Sequence, residues 1–129
     1  MEKDFDGWNI KKKSINQRLE ADFLVAGEIW WCSIGVNVGH EQDGKHSSYE
    51  RPVLILKHIG PGLCWIIPIT STKGRGEYVY ELTFSNKDNA LLLAQIRIVS
   101  TKRLNRKVGS IALESLGRIR RRLAELFLR

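Results

Sequence analysis

The sequence predicts an α+β fold that is mainly β: a small barrel of short strands with one helix at each end of the chain. Two observations carry this. Short runs rich in β-branched and aromatic residues recur between Gly, Pro and Asn turns instead of alternating with helices, which argues against a βαβ sheet. Helical periodicity is confined to the two ends. The 129 residues suffice for one domain with its own core.

Residues 1–26 read as a helical extension, set apart from a body spanning 27–129. Between Lys12 and Val25, Ile15, Leu19 and Phe23, with Leu24 beside them, recur at i, i+4 and i+8, which predicts a helix whose apolar stripe packs on the body. Glu28–Ile34 is a strand. Residues 35–50 are polar, contain three Gly and form a long loop. Pro52 opens the strand Val53–Ile59, a position where a missing N–H is tolerated, and Gly60-Pro61-Gly62 turns it into Leu63–Thr70. Lys73–Gly76 is a second loop, Glu77–Phe84 alternates as a strand, and Asn86–Asn89 turns again. Ala90–Ser100 is the next strand, and a short one lies near Lys107–Ile111. Residues 113–128 end the chain as a helix with Leu113, Leu116, Ile119, Leu123, Leu126 and Phe127 as its apolar stripe. Gly117 weakens that helix by about 1 kcal/mol relative to Ala, and a close approach to the barrel at this point is the expected reason.

Composition narrows the function. No apolar run is long enough to span a membrane, and the N-terminus mixes Asp, Lys and Trp where a signal peptide would be apolar, so a cytoplasmic protein is expected. Cys32 and Cys64 sit in apolar runs and read as buried reduced thiols. His40, His46 and His58 have no helical i+4 partner, no cysteine pair has zinc spacing, and no Gly-rich phosphate loop follows a strand. Neither metal nor cofactor is expected. The formal net charge of +7 is concentrated: residues 97–129 hold ten Lys/Arg against two Asp/Glu, while the rest of the chain nearly balances. A clustered basic region suits a polyanion, since each phosphate it neutralises releases counterions. A solvated helix face explains Arg120 to Arg122 equally well.

The long loop carries His40, Glu41, Gln42, Asp43, Lys45, His46 and Glu50, then delivers Arg51 to the head of a strand. Loops on a rigid scaffold commonly hold function. The simplest alternative for Arg51 is a salt bridge to Glu50 or Glu28. Gly27-Glu28-Ile29-Trp30, then Gly39-His40-Glu41-Gln42-x-Gly44, Arg51-Pro52-Val53-Leu54, Pro68-Ile69-Thr70-Ser71 and Gln95-Ile96-Arg97, with Arg103-Leu104 after them, follow one another in order. This series resembles the MazF/PemK/Kid toxins of type II toxin–antitoxin systems over roughly residues 27–127.

The resemblance implies an SH3-like β-barrel with a C-terminal helix, usually a homodimer. It also implies metal-independent, sequence-selective cleavage of single-stranded RNA to a 2′,3′-cyclic phosphate, and a cognate antitoxin that covers the RNA groove. By the same resemblance the catalytic arginine is Arg51, the catalytic threonine of P-x-T is Thr70, and His40 is the histidine of the Kid-like G-H-E-Q, a side chain that titrates near neutral pH. Glu41, Gln42, Lys45, Ser71, Lys73, Gln95 and Arg97 are the expected RNA-binding set. A fixed guanidinium suits this chemistry because it can grip two oxygens of the dianionic phosphorane. Two departures stand out. Ala94 replaces the acidic residue that many relatives carry before Gln95, leaving the general base open, and Lys45–Glu50 lengthens the loop. A non-catalytic module of the same fold, binding nucleic acid or gyrase as the CcdB toxins bind gyrase, is the alternative.

Overall fold

In the computed structural model, which describes residues 2–21, 23–72, 74 and 76–129, the described residues form seven strands and two helices. They are α1 (Phe5–Asn16), β1 (Glu28–Ser33), β2 (Glu50–His58), β3 (Leu63–Thr70), β4 (Val79–Phe84), β5 (Lys87–Leu92), β6 (Arg97–Ser100), β7 (Leu104–Ser110) and α2 (Leu113–Phe127). The strands form one curled antiparallel half-barrel in the order β4-β5-β3-β2-β1-β7, with β6 also paired to β3. β3 is the hinge of the curl. Its first half pairs with β6 through Leu63↔Ser100 to Ile66↔Arg97, and its end pairs with β5 through Ile69↔Leu91 and Thr70↔Ala90.

Alternation along the strands builds a core on each face of the sheet. In β2, Leu54 and Leu56 join Ile29, Ile67, Ile69 and Leu91 on one face, where Leu116, Ile119 and Leu123 of α2 cover them. Val53 and Ile55 point the other way, to Cys32, Ile34, Cys64, Ile66, Val99 and Leu104. Burial pushes the Cys32 thiol up to about 12 and Cys64 up to about 11. Both thiols are free, buried and protonated at neutral pH.

Five expectations need correction. The N-terminal helix is Phe5–Asn16 and not the Lys12–Val25 span. Asp4 caps it by accepting from Gly7 N at 2.9 Å, and its buried anchors are Trp8 and Ile15. Leu19 and Phe23 are 93% and 94% exposed, and only Leu24 of the outer pattern reaches the core. The Ala90–Ser100 strand breaks into β5 and β6 around a 3-10 turn at Leu93–Gln95, because its two halves pair with opposite ends of β3. The turn placed at Asn86–Asn89 is Ser85–Asn86, both with positive φ (52° and 59°), and Lys87 already belongs to β5. In α2 the stripe is narrower than its periodicity suggests, since Leu113 and Phe127 are 82% and 73% exposed.

Gly117 makes no close approach, because a methyl group built there meets nothing within 4 Å. Gly117→Ala is therefore expected to raise stability by about 0.5–1 kcal/mol, read as a few degrees of thermal midpoint.

Candidate active site

The loop between β1 and β2 is shaped before it meets any ligand. Gly44 donates its N–H to Gly35 O at 2.8 Å, and Lys45 and Glu50 exchange backbone hydrogen bonds at 2.9 and 3.1 Å. The lengthened stretch thus closes as a tight turn over His46–Tyr49, both ends of which take positive φ (64° and 50°). Gly44 must lack a side chain, since a Cβ would overlap the Tyr49 carbonyl group. Asn37 ties the other limb, its Nδ2 donating to Gln42 O at 2.8 Å and its N–H to Asp43 Oδ1 at 2.7 Å.

This loop holds Arg51. The guanidinium Nε donates to the Asp43 carbonyl at 2.7 Å. With the Gln42 amide oxygen facing it, Gln42 Oε1 accepts from Arg51 Nη2 at 2.7 Å and Nε at 2.8 Å. Neither salt bridge considered for Arg51 forms. Glu50 is taken by Arg106 at 2.8 Å and by Asn105, which hold its carboxyl below the usual range against the opposing effect of its burial. Glu28 is taken by Lys107 at 2.7 Å. Burial pulls the Arg51 guanidinium below its ordinary pKa and the nearby Asp43 charge opposes this; an arginine remains charged throughout.

Gln42 and Arg51 stand in the walls of two different clefts. One, of about 620 Å³, is lined by His40, Glu41, Gln42, Ala94, Gln95 and Arg97 among others. The second, of about 320 Å³, has Arg51 with Lys45, Ser71, Trp31, Phe84 and Lys87 in its wall. Gln95 clamps the loop to the 3-10 turn, its Oε1 accepting from Gln42 N and its Nε2 donating to His40 O, both at 3.1 Å. Gln95→Ala removes both bonds, worth about 1 kcal/mol each, and loosens Gln42. A fall of several degrees in thermal midpoint and faster amide exchange at Gln42 are expected, checked by melting and exchange measurements.

Thr70 stands apart from both cleft linings. The β2–β3 register pairs Val53 with Pro68, and two residues further along the same face stand Arg51 and Thr70. Thr70 Oγ1 accepts from Thr72 N at 3.2 Å, which leaves the hydroxyl hydrogen available to donate. Glu41 is engaged locally, its Oε1 accepting from Val38 N at 2.8 Å. Lys73 lies outside the described residues. Asp43, whose carbonyl carries half of the grip on Arg51, was absent from the sequence-based set. Its traces there are its place between Gln42 and Gly44 and its share in the loop's run of charged residues.

The basic C-terminal quarter does not form one patch. Arg97 reaches the larger cleft, but Arg120 donates to Leu56 O at 2.8 Å, Arg122 lies over the Tyr80 ring, and Arg106 and Lys107 are paired as above. Among the described residues no group of three or more His, Cys, Asp or Glu side chains is placed to hold a metal ion, and no helix is long and apolar enough to cross a membrane.

A curled seven-stranded half-barrel with a helix near each terminus and an arginine at the head of its second strand defines the class: a small mainly β domain of the MazF-like fold. The family model of PemK-like, MazF-like toxins of type II toxin–antitoxin systems matches residues 26–127, and the chain belongs to that family. Among solved structures it is similar to MazF (Form-I) from Deinococcus radiodurans, with 22% identity, a TM-score of 0.65, and coverage of 84% of this chain and 100% of that one. Mycobacterium tuberculosis toxin MazF-mt6 is similar at 15% identity and a TM-score of 0.60, covering 78% and 95%. A mycobacterial endoribonuclease in complex with its cognate antitoxin is similar at 14% identity and a TM-score of 0.58, covering 79% and 92%. At these identities the likeness is one of fold. Comparison with curated proteins gives no match.

Proposed function

We propose that this toxin-family protein is a metal-independent endoribonuclease that cuts single-stranded RNA, and that a cognate antitoxin neutralises it by covering the two clefts. The observation that carries the proposal is the fixing of Arg51. Its guanidinium is fixed by Gln42 Oε1 and the Asp43 carbonyl in a loop that contributes to the walls of two clefts, and among the described residues its Nη1 makes no protein hydrogen bond. A preorganised cation so placed stabilises charge that develops on a phosphate without reorganising during the reaction.

In the proposed reaction the RNA 2′-oxygen attacks the adjacent phosphorus, the O2′–P bond forms and the P–O5′ bond breaks. The products are a 2′,3′-cyclic phosphate and a 5′-hydroxyl. Arg51 neutralises the non-bridging oxygens and the Thr70 hydroxyl donates to the same phosphate. His40, in the larger cleft beside Gln42 and Ala94, takes the 2′-hydroxyl proton. Water supplies the proton to the leaving oxygen. Gln42, Gln95, Glu41 and Arg97 on one side, and Lys45 and Ser71 on the other, line the path of the strand, with Lys73 proposed to join them.

A homodimer, as the family implies, is supported by the apolar strip of Leu63, Trp65 and Ile98, partly exposed on the outer face of β3 and β6. One observation favours a non-catalytic binding module: Ala94 lines the larger cleft at the place of the relatives' carboxylate. The two readings separate in one assay. Purified protein incubated with single-stranded RNA in excess EDTA is expected to produce new 5′-hydroxyl ends at an undiminished rate. RNA binding without new ends would support the module.

A further inference from the structure

The family match begins at residue 26, which leaves α1 and the residues around it outside the match. That segment does not hang free. Lys3, just ahead of α1, reaches into the β1–β2 loop: its Nζ donates to Asn37 O at 2.6 Å and Gly39 O at 2.8 Å, and pairs with Asp43 Oδ2 at 3.2 Å. Asp43 is the residue whose carbonyl holds Arg51 Nε, and its carboxylate also accepts from Asn37 N. One ammonium group therefore gathers both limbs of the loop.

The same segment holds the loop from its other side. Asp4 Oδ2 accepts from the Tyr49 hydroxyl at 2.8 Å, and the Trp8 ring lies 5.5 Å from that of Tyr49. Trp8 is 6% exposed and packs onto Gly35, where a Cβ would overlap its indole. Tyr49 closes the turn that lengthens this loop. An enlarged loop has more conformations to lose on ordering, and the N-terminal segment touches the loop at both ends of the enlargement.

Resting on the ribonuclease reading, we infer that the N-terminal segment is a brace for the active-site loop, with Lys3 as a positioning residue. Lys3 does not touch the guanidinium; it sets Asp43 and, through Asn37, Gln42, and these aim Arg51. Displacement of an aiming group by about 1 Å can cost up to 10²-fold in rate. The effect falls more on the chemical step than on binding, because Lys3 lines neither cleft and, of the larger cleft's wall, it steadies only Asn37 and Gln42.

The test compares full-length wild type, Lys3→Met and Lys3→Arg in two measurements. Single-turnover cleavage is expected to slow about tenfold in Lys3→Met, a larger factor than any change in the RNA dissociation constant and larger than any fall in thermal midpoint accounts for, and to return toward wild type in Lys3→Arg. Amide hydrogen exchange is expected to speed up about tenfold at Asn37, Val38, Gln42 and Gly44 in Lys3→Met, with the β2 and β3 amides unaffected. Unchanged exchange at the loop overturns the brace, as does a rate loss that merely tracks a fall in midpoint. Absence of cleavage by the wild type would sink the ribonuclease reading alone, and the exchange measurement would still decide the brace.

Discussion

Arg51→Ala is expected to lower the rate of RNA cleavage by at least about 10²–10³-fold, the usual loss for one preorganised donor to a developing oxyanion. The variant should remain folded. Arg51 caps the end of β2 and belongs to neither apolar cluster, so its removal leaves the strand pairings and both cores intact. What it does leave is the Asp43 carbonyl and the Gln42 amide oxygen without their partner, at a cost of about 1–3 kcal/mol in stability. A cooperative melt at a somewhat lower midpoint, with cleavage gone, is the expected pair of readings. Arg51→Lys should rescue poorly. A lysine ammonium is a compact point charge and cannot offer the fork that Gln42 and Asp43 orient.

The second large effect is expected at a residue with no side chain. Gly44→Ala would drive a methyl group into the Tyr49 carbonyl. Backbone stands on both sides of the overlap, so neither neighbour can swing away. Relief must come from opening the Lys45–Glu50 bridge or from moving Asp43, and either course shifts the acceptors of Arg51. About 10²-fold slower cleavage is expected from such a misplacement. Gly44 belongs to neither apolar cluster, so the thermal midpoint should fall less than for a buried Leu→Ala change, whose cost is about 2–5 kcal/mol. Tyr49→Phe, which loses only the bond to Asp4, should fall between Gly44→Ala and the wild type in rate.

Much of the fold was legible because strand alternation and turn residues are local signals. Gly60-Pro61-Gly62 as a turn and Val53–Ile59 as a strand could be read without knowing any partner, though not which of its apolar residues face which core. The helix before residue 26 could not. Ile15, Leu19 and Phe23 offered a convincing stripe, whereas the true anchor, Trp8, is explained only by a glycine 27 positions away on which it packs. The break between β5 and β6 was hidden for a related reason. Residues 90–100 are continuously strand-like, and only the change of partner along β3 interrupts them.

The candidate site divides the same way. Arg51, Gln42 and Gln95 drew notice through motifs, and the fold brings them together through hydrogen bonds that their side chains make. Asp43 was noted only among the charged residues of the loop and given no role, because it acts on Arg51 through a backbone carbonyl, which every residue possesses. Lys3 was invisible for want of any sequence neighbour to the loop it enters.

The claim at the centre of this account is that a fixed Arg51 drives RNA cleavage through 2′-oxygen attack. Mapping the ends of a single-stranded RNA pool after treatment, wild type beside Arg51→Ala, tests it most directly. Fragments with 5′-hydroxyl and 2′,3′-cyclic phosphate ends from the wild type, and none above background from a folded Arg51→Ala, are the predicted result. Equal cleavage by both proteins, or wild-type fragments bearing 5′-phosphates, would contradict it.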